Sequence, residues 1–265
     1  MISVTSAQLD LWIAAFFWPF FRILALIAAA PLFGARGVPT TARIGMAFVL
    51  TVVISPVLDP MPAIQPSSAQ GIFILVQQLM IGTAMGLAMR IVFSAIEMAG
   101  HIIGLQMGLG FATFFDPQNS TQIPVMGQFL GLIAMLLFLA INGHLMVITA
   151  LVESFRVLPV GLHAFAGEGW HTLALWGGEV FRGGLLISLP LVAVLMMTNV
   201  ALAVLTRAAP QLNIFVVGFP LTLAIGFIVM AASMRYFLPL FSTMFETGVQ
   251  MMVRIALDAR TAAAF

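Results

Sequence analysis

Strongly apolar runs fall at about residues 11–33, 44–58, 71–110, 123–152, 172–206 and 212–240, and an amphipathic stretch follows at about 241–257. The runs lack the period-two alternation of membrane-barrel strands and are far longer than the roughly ten residues such strands use. The elements they predict are helices. A straight span needs about 20 apolar residues. Ile44 to Leu58 is short for that, and 71–110 is too long unless tilted or bent. The fifth run is interrupted by Gly177, Gly178, Gly183, Gly184 and Pro190. The pattern therefore predicts an all-α polytopic membrane protein of kinked helices and helical hairpins, with freed backbone groups buried in protein.

Composition strengthens this reading. The chain has 265 residues, 62% hydrophobic and 7% charged, with a mean hydropathy of +1.14. Soluble domains carry about 25% charge, so this chain has too little polar surface to cover a water-exposed globule. All ten basic residues are arginines scattered singly, and no basic run points to nucleic acid. The absence of cysteine excludes disulfides, thiolate nucleophiles and Cys-based metal sites. The first ten residues, MISVTSAQLD, hold Asp10 and no basic residue, so the first run reads as a retained span rather than a secretory signal. The loop 33–43 holds Arg36 and Arg43 and no acid, and the loop 59–68 holds only Asp59. The positive-inside bias then puts Arg36 and Arg43 in the cytoplasm and the N-terminus outside. By the same bias, Arg207, Arg254 and Arg260 favour cytoplasmic positions.

Chemistry-bearing residues are few. Arg22 sits inside an apolar run, as do Arg90, Glu97 and His101 in the third and Glu179 and Arg182 in the fifth. A central charge costs about 2.5–3.5 kcal/mol on insertion scales. Glu97 with His101 and Glu179 with Arg182 have helical spacing. Pairing within the helix, pairing between subunits and exposure to a water-filled cavity all remain open for them. Gly82, Gly86, Gly100, Gly104 and Gly108 form a ladder on one predicted helix face, where backbones can approach closely. Of the four histidines, His144 in NGH is expected to hydrogen-bond locally. None forms HExxH, and no serine elbow or P-loop is present. The chain is expected to be no enzyme and to hold no cofactor or metal. The eighteen methionines suit packed surfaces that must adapt.

The segment GLQMGLGFATFFDPQNSTQIPVMGQ, residues 104–128, is too rich in Gly, Pro and amides to span a membrane. It is also too apolar for a solvated loop. By itself it reads as a buried re-entrant turn between two helices.

Four stretches together resemble the flagellar biosynthetic protein FliR family, a subunit of the type III export gate. They are FWPFFRILALIAAAPLFGARGVPTTARIGMAFVLTVVISP (17–56), GLQMGLGFATFFDPQNSTQIPV (104–125), LFLAINGHLMVITALVESFRVLP (137–159) and RAAPQLNIFVVGFPLTLAIG (207–226). The resemblance implies one export-gate membrane domain over 1–265, with a P-subunit-like part to about 170 and a Q-subunit-like hairpin plus C-terminal amphipathic helix from about 171. It implies one copy of the chain in a helical hetero-oligomer with the P and Q subunits, beside other export-apparatus membrane proteins and the basal-body ring and rod. The setting implied is the bacterial inner membrane within the flagellar basal body, with membrane lipid around the gate and unfolded flagellar subunits as cargo.

The resemblance also places a pore plug at about 106–122. Met107, Phe111, Phe114 and Phe115 would supply a dry seal, since apolar constrictions gate by dewetting. Gly108 and Gly110 would supply backbone freedom, and Asp116-Pro117 a closing turn. Assembly contacts are expected at Arg22, Arg36, Pro39, Arg43, Glu97, Arg207, Pro210, Gln211 and Asn213. The competing reading is a small-solute secondary transporter, which shares broken helices and embedded charges. The two halves, however, lack corresponding interruptions.

Overall fold

The computed structural model describes the backbone of residues 6–34, 37–111, 124–162, 167–209 and 214–261, and the side chains there except at 6–11, 111, 214–216 and 261. The elements are α1 (Ser6–Ala29), α2 (Thr40–Ile54) with a 3-10 turn at Ser55–Val57, α3 (Ala69–Gln106) with a 3-10 turn at Leu109–Phe111, α4 (Val125–Ala140), α5 (Gly143–Val157), α6 (Gly167–Trp176), α7 (Glu179–Ala208) and α8 (Ile214–Thr261). No strand occurs among the described residues. Five of the helices, or six spans if α4 and α5 count as one, are long and apolar enough to cross a membrane. The protein is an all-α polytopic membrane protein.

Three differences from the sequence pattern have local causes. The fourth run is not one helix, because Asn142 adopts φ 58° and ends α4 before α5 begins. Asn is one of the few residues that tolerate the left-handed region. The stretch between the fourth and fifth runs is helical from Gly167 onward. The amphipathic C-terminal stretch is no separate element but the end of α8, which runs for 48 residues with Pro220 and Pro239 inside it. Its buried positions there, Phe241, Phe245, Met252, Ile255, Ala256 and Ala259, recur at the three-to-four spacing of one helix face.

The chain forms two compact units, each assembled from separate stretches of sequence. The first comprises Met1–Ile91, Asn142–Gly177 and Phe245–Phe265. Its core sets Ala14, Trp18 and Ile74 against Phe17, Met61, Ile64, Leu75 and Val160. Backbones meet closely at glycines: a Cβ on Gly82 would strike the carbonyl of Arg22, and one on Gly86 would stand 2.5 Å from the Cβ of Ala29. α6 lies on the end of α8, where Gly169 faces Ala259 and the Thr172 hydroxyl donates to Asp258 at 2.7 Å. Trp176 Nε1 donates to the Ala88 carbonyl of α3 at 3.0 Å.

The second unit comprises Val92–Ile141 and Gly178–Met244. Here α3 and α4 form a hairpin whose backbones touch at Gly100 and Met126, and a Cβ on Gly127 would lie 2.9 Å from the Glu97 carbonyl. Phe93 and Phe138 meet edge to face at 5.6 Å. The glycine ladder thus serves two neighbours, α1 for its first pair and α4 for Gly100 and Gly104. Gly108 is not on the helix at all, since α3 ends at Gln106.

The charge-based orientation can be set against one contact. Leu58 to Met61 line one cavity of about 120 Å³ with Phe155, Arg156, Pro159 and Val160, and Arg260 Nη1 donates to the Val157 carbonyl at 3.2 Å. Asp59 and the last turn of α8 therefore stand at one end of the first unit. Charge bias counts loop residues singly and is blind to which loops meet. With no native cysteine, single cysteines report this cleanly. Pro60→Cys and Leu257→Cys should react with a membrane-impermeant maleimide from the same side, and Gly37→Cys from the other. Labelling of the first two from opposite sides would refute the arrangement.

Candidate functional site

The long apolar segment after α3 begins at a defined point. Met107 still closes the helix, its N–H donating to the Ile103 carbonyl at 2.9 Å. Gly108 then takes φ 85°, a conformation that costs glycine little and other residues more. The chain turns there into Leu109–Phe111. Gly110 lies in that turn, where an added Cβ would be 3.2 Å from the side chain of Leu105. Phe114, Phe115, Asp116 and Pro117 lie outside the described residues, as does the side chain of Phe111.

Both feet of this segment are packed. Met107 is wholly buried, lying along the bare backbone of Gly226 in α8. At the far foot, the Met126 Cβ stands where a Cβ on Gly104 would be 3.3 Å away. The sequence reading lists Met107 with the seal-forming side chains; in the structure its thioether is enclosed within the chain.

Arg22, grouped by sequence with the assembly contacts, is 0% exposed. Nε donates to Gln78 Oε1 at 2.7 Å. Nη1 donates to the Ser154 carbonyl at 3.0 Å and lies 3.2 Å from its hydroxyl. Nη2 donates to the Leu158 carbonyl at 3.0 Å. The guanidinium lies 4.0 Å from the centroid of the Phe155 ring. These carbonyls belong to the end of α5, which carries partial negative charge; that of Ser154 also accepts from the Leu158 N–H at 2.9 Å. Arg260 supplies another donor to the same end. The buried charge thus meets a helix terminus, an amide and an aromatic face, and its rigid fork of donors satisfies all of them at once. Arg22 fastens α1, α3 and α5 and has no surface left for a neighbour.

The remaining expected residues lie apart from these two places. Pro39 is exposed immediately before α2, Arg43 is half-buried in its first turn, and Arg207 is exposed in the last turn of α7. Glu97 lays its side chain against Gly131 of α4. Arg36, Pro210, Gln211 and Asn213 lie outside the described residues. Glu179 and Arg182 pair within α7 at 3.4 Å, the intrahelical one of the readings open for them. His144 makes no local hydrogen bond through Nδ1, which is buried without a partner among the described residues. Sequence reasoning missed Gln78 and Ser154 as partners of Arg22, and Gly226 as the seat of Met107. The paired amides Gln77-Gln78 in an apolar run were the one available signal.

Residues 13–248 match the family model of the bacterial export proteins, family 1. The chain is 43% identical over 250 residues to flagellar biosynthetic protein FliR of Escherichia coli (strain K12), covering 93% of this chain and 95% of that one. The chain belongs to the FliR family of bacterial export proteins. It is also 40% identical over 260 residues to the FliR protein of Pectobacterium carotovorum subsp. carotovorum, covering 97% and 99%. With the protein of that name from Bacillus subtilis (strain 168) it shares 33% identity over 242 residues, covering 90% and 93%. FliR-family membership makes the chain a structural export component and not an enzyme.

For this FliR-family chain the Arg22 fastening makes a specific expectation. Arg22→Ala orphans buried acceptors at about 1–3 kcal/mol each, and Arg22→Lys keeps the charge but loses the fork. Unfolding midpoints in mild detergent should fall in the order wild type, Lys, Ala. A midpoint for Arg22→Ala equal to wild type would show that the fastening carries no stability.

Proposed function

We propose that this chain is a pore-forming structural subunit of the flagellar type III protein export gate in the bacterial inner membrane, within the basal body. One copy closes a helical assembly of P and Q subunits. Residues to about 170 play the P-like part, and the rest the Q-like hairpin. Unfolded flagellar subunits pass through the central channel, beside other export-apparatus membrane proteins and the basal-body ring and rod.

The observation that carries the reading is likeness to flagellar biosynthetic proteins over nearly the whole length of both chains. In the resting gate, residues Gly108 to Gln122 plug the channel. The plug reading is supported by the way the chain leaves α3, at the positive-φ Gly108, before α4 begins at Val125. It is supported also by chemistry. A conduit for extended polypeptide must still exclude ions, and a phenylalanine-rich segment with Asp116 as its one charge gives a barrier that resists wetting. Exposed Pro39 and Arg207, with half-buried Arg43, remain candidates for contact with the neighbouring subunits.

Removing several residues between Leu109 and Gln122 should raise ion leakage across the inner membrane while some export persists. Leakage is read from membrane depolarisation, and assembly from co-purification with the P and Q subunits. An unchanged leak in a fully assembled variant would sink the plug. Recovery of the tagged chain alone, with both partners expressed, would sink the gate reading.

A further inference from the structure

We propose that Met107 is the fixed foot from which the plug segment departs, and that the bare backbone of Gly226 is the seat that positions it. The functional consequence rests on the gate reading above, whereas the contact itself does not. Met107 is the last residue held by the α3 hydrogen-bond pattern, and Gly108, bonded back to the Leu105 carbonyl at 3.1 Å, redirects the chain. Whatever fixes Met107 therefore fixes where the following segment starts.

The side chain does the fixing. A Cβ placed on Gly226 would lie 2.7 Å from Cγ, 2.8 Å from Cε and 3.0 Å from Sδ of Met107. The whole thioether therefore lies flat along that glycine. Thr222, one helical turn earlier on α8, adds little holding force. Its hydroxyl is 3.0 Å from the Phe219 carbonyl and 3.4 Å from that of Met107. One hydroxyl has one hydrogen, and the shorter, local bond takes it. What remains is close packing of an adaptable side chain against a backbone with no side chain of its own. Such a hold is firm but undirected, and the seat can release the foot without breaking a hydrogen bond. Residue 226 thus becomes a positioning residue for the plug although it belongs to a distant stretch of sequence.

The test uses the full chain in membranes with its partners expressed. Met107→Cys with Gly226→Cys places two thiols within disulfide reach, since Cβ atoms about 3.5–4.5 Å apart can be bridged and the chain holds no other cysteine. Mild oxidation in the membrane should protect both from maleimide added after denaturation, and labelling that persists overturns the contact. Gly226→Ala then drives the thioether from its seat and should raise ion leakage severalfold at normal recovery of the complex. Gly45→Ala, where nothing lies within 4 Å of the new methyl group, should not. Met107→Ala needs no added volume and should leak in the same direction, which keeps the test open if Gly226→Ala fails to assemble. The double variant Met107→Ala with Gly226→Ala should leak no more than either single one, because both remove the same contact. A shortened plug that leaks beside assembled, tight single variants overturns the foot alone. A shortened plug that stays tight overturns the gate reading and this proposal with it.

Discussion

In hydrocarbon no water completes a broken hydrogen bond or shares a charge, so every polar group of a spanning chain must find its partner within protein. This constraint explains why each described element is helical and why Arg22 is bound as it is. A guanidinium inside an apolar helix would oppose insertion. Here it meets carbonyls at the negative end of α5, those of Ser154 and Leu158. The contact ties α1 to a helix more than 130 residues further along the chain, and Gln78 joins α3 to it. Arg260 reaches the same terminus from the other end of the sequence, so one helix end gathers both the first and last helices.

The same constraint governs packing. Apolar faces gain little from meeting one another in lipid, so helix association depends on close contact and on small residues that permit it. Gly82 and Gly86 bring α3 against α1, and Gly100 and Gly127 bring α3 against α4. Gly169 does this for α6 on α8 and Gly226 for Met107. Larger apolar groups are left outward instead: Val53 of α2 and Met197 of α7 are 64% and 73% exposed. In a chain of this composition such faces are matched to lipid or to other apolar protein, not to water.

These two devices bear on the proposed gate in different ways. The arginine fastening is polar, directional and enclosed, which suits a part that must not move. The proposed foot at Met107 holds its side chain by packing alone and sits beside a glycine already turned into the left-handed region. A plug segment that must seal and then yield, as proposed, is better served by the second kind of hold.

Much of the architecture was legible from the sequence. Hydropathy and the scarcity of charge determine that the chain is a helical membrane protein, since no other arrangement hides so much apolar surface and satisfies the backbone. Gly, Pro and amide punctuation marks the segment after Gly104 as special, and i,i+3 spacing anticipates the pairing of Glu179 with Arg182. Local patterns could not tell that Arg22 is enclosed rather than offered to a neighbour, because its partners Gln78, Ser154 and Leu158 lie far along the chain. They could not show that the glycine ladder serves two different helices, or that Met107 is enclosed against Gly226. Nor could charge counting reveal that Asp59 and Arg260 share one end. Helix and membrane character are determined by each segment's own composition, so the sequence alone settles them. Enclosure, seating and sidedness depend on which distant segments meet, and only the tertiary structure decides that.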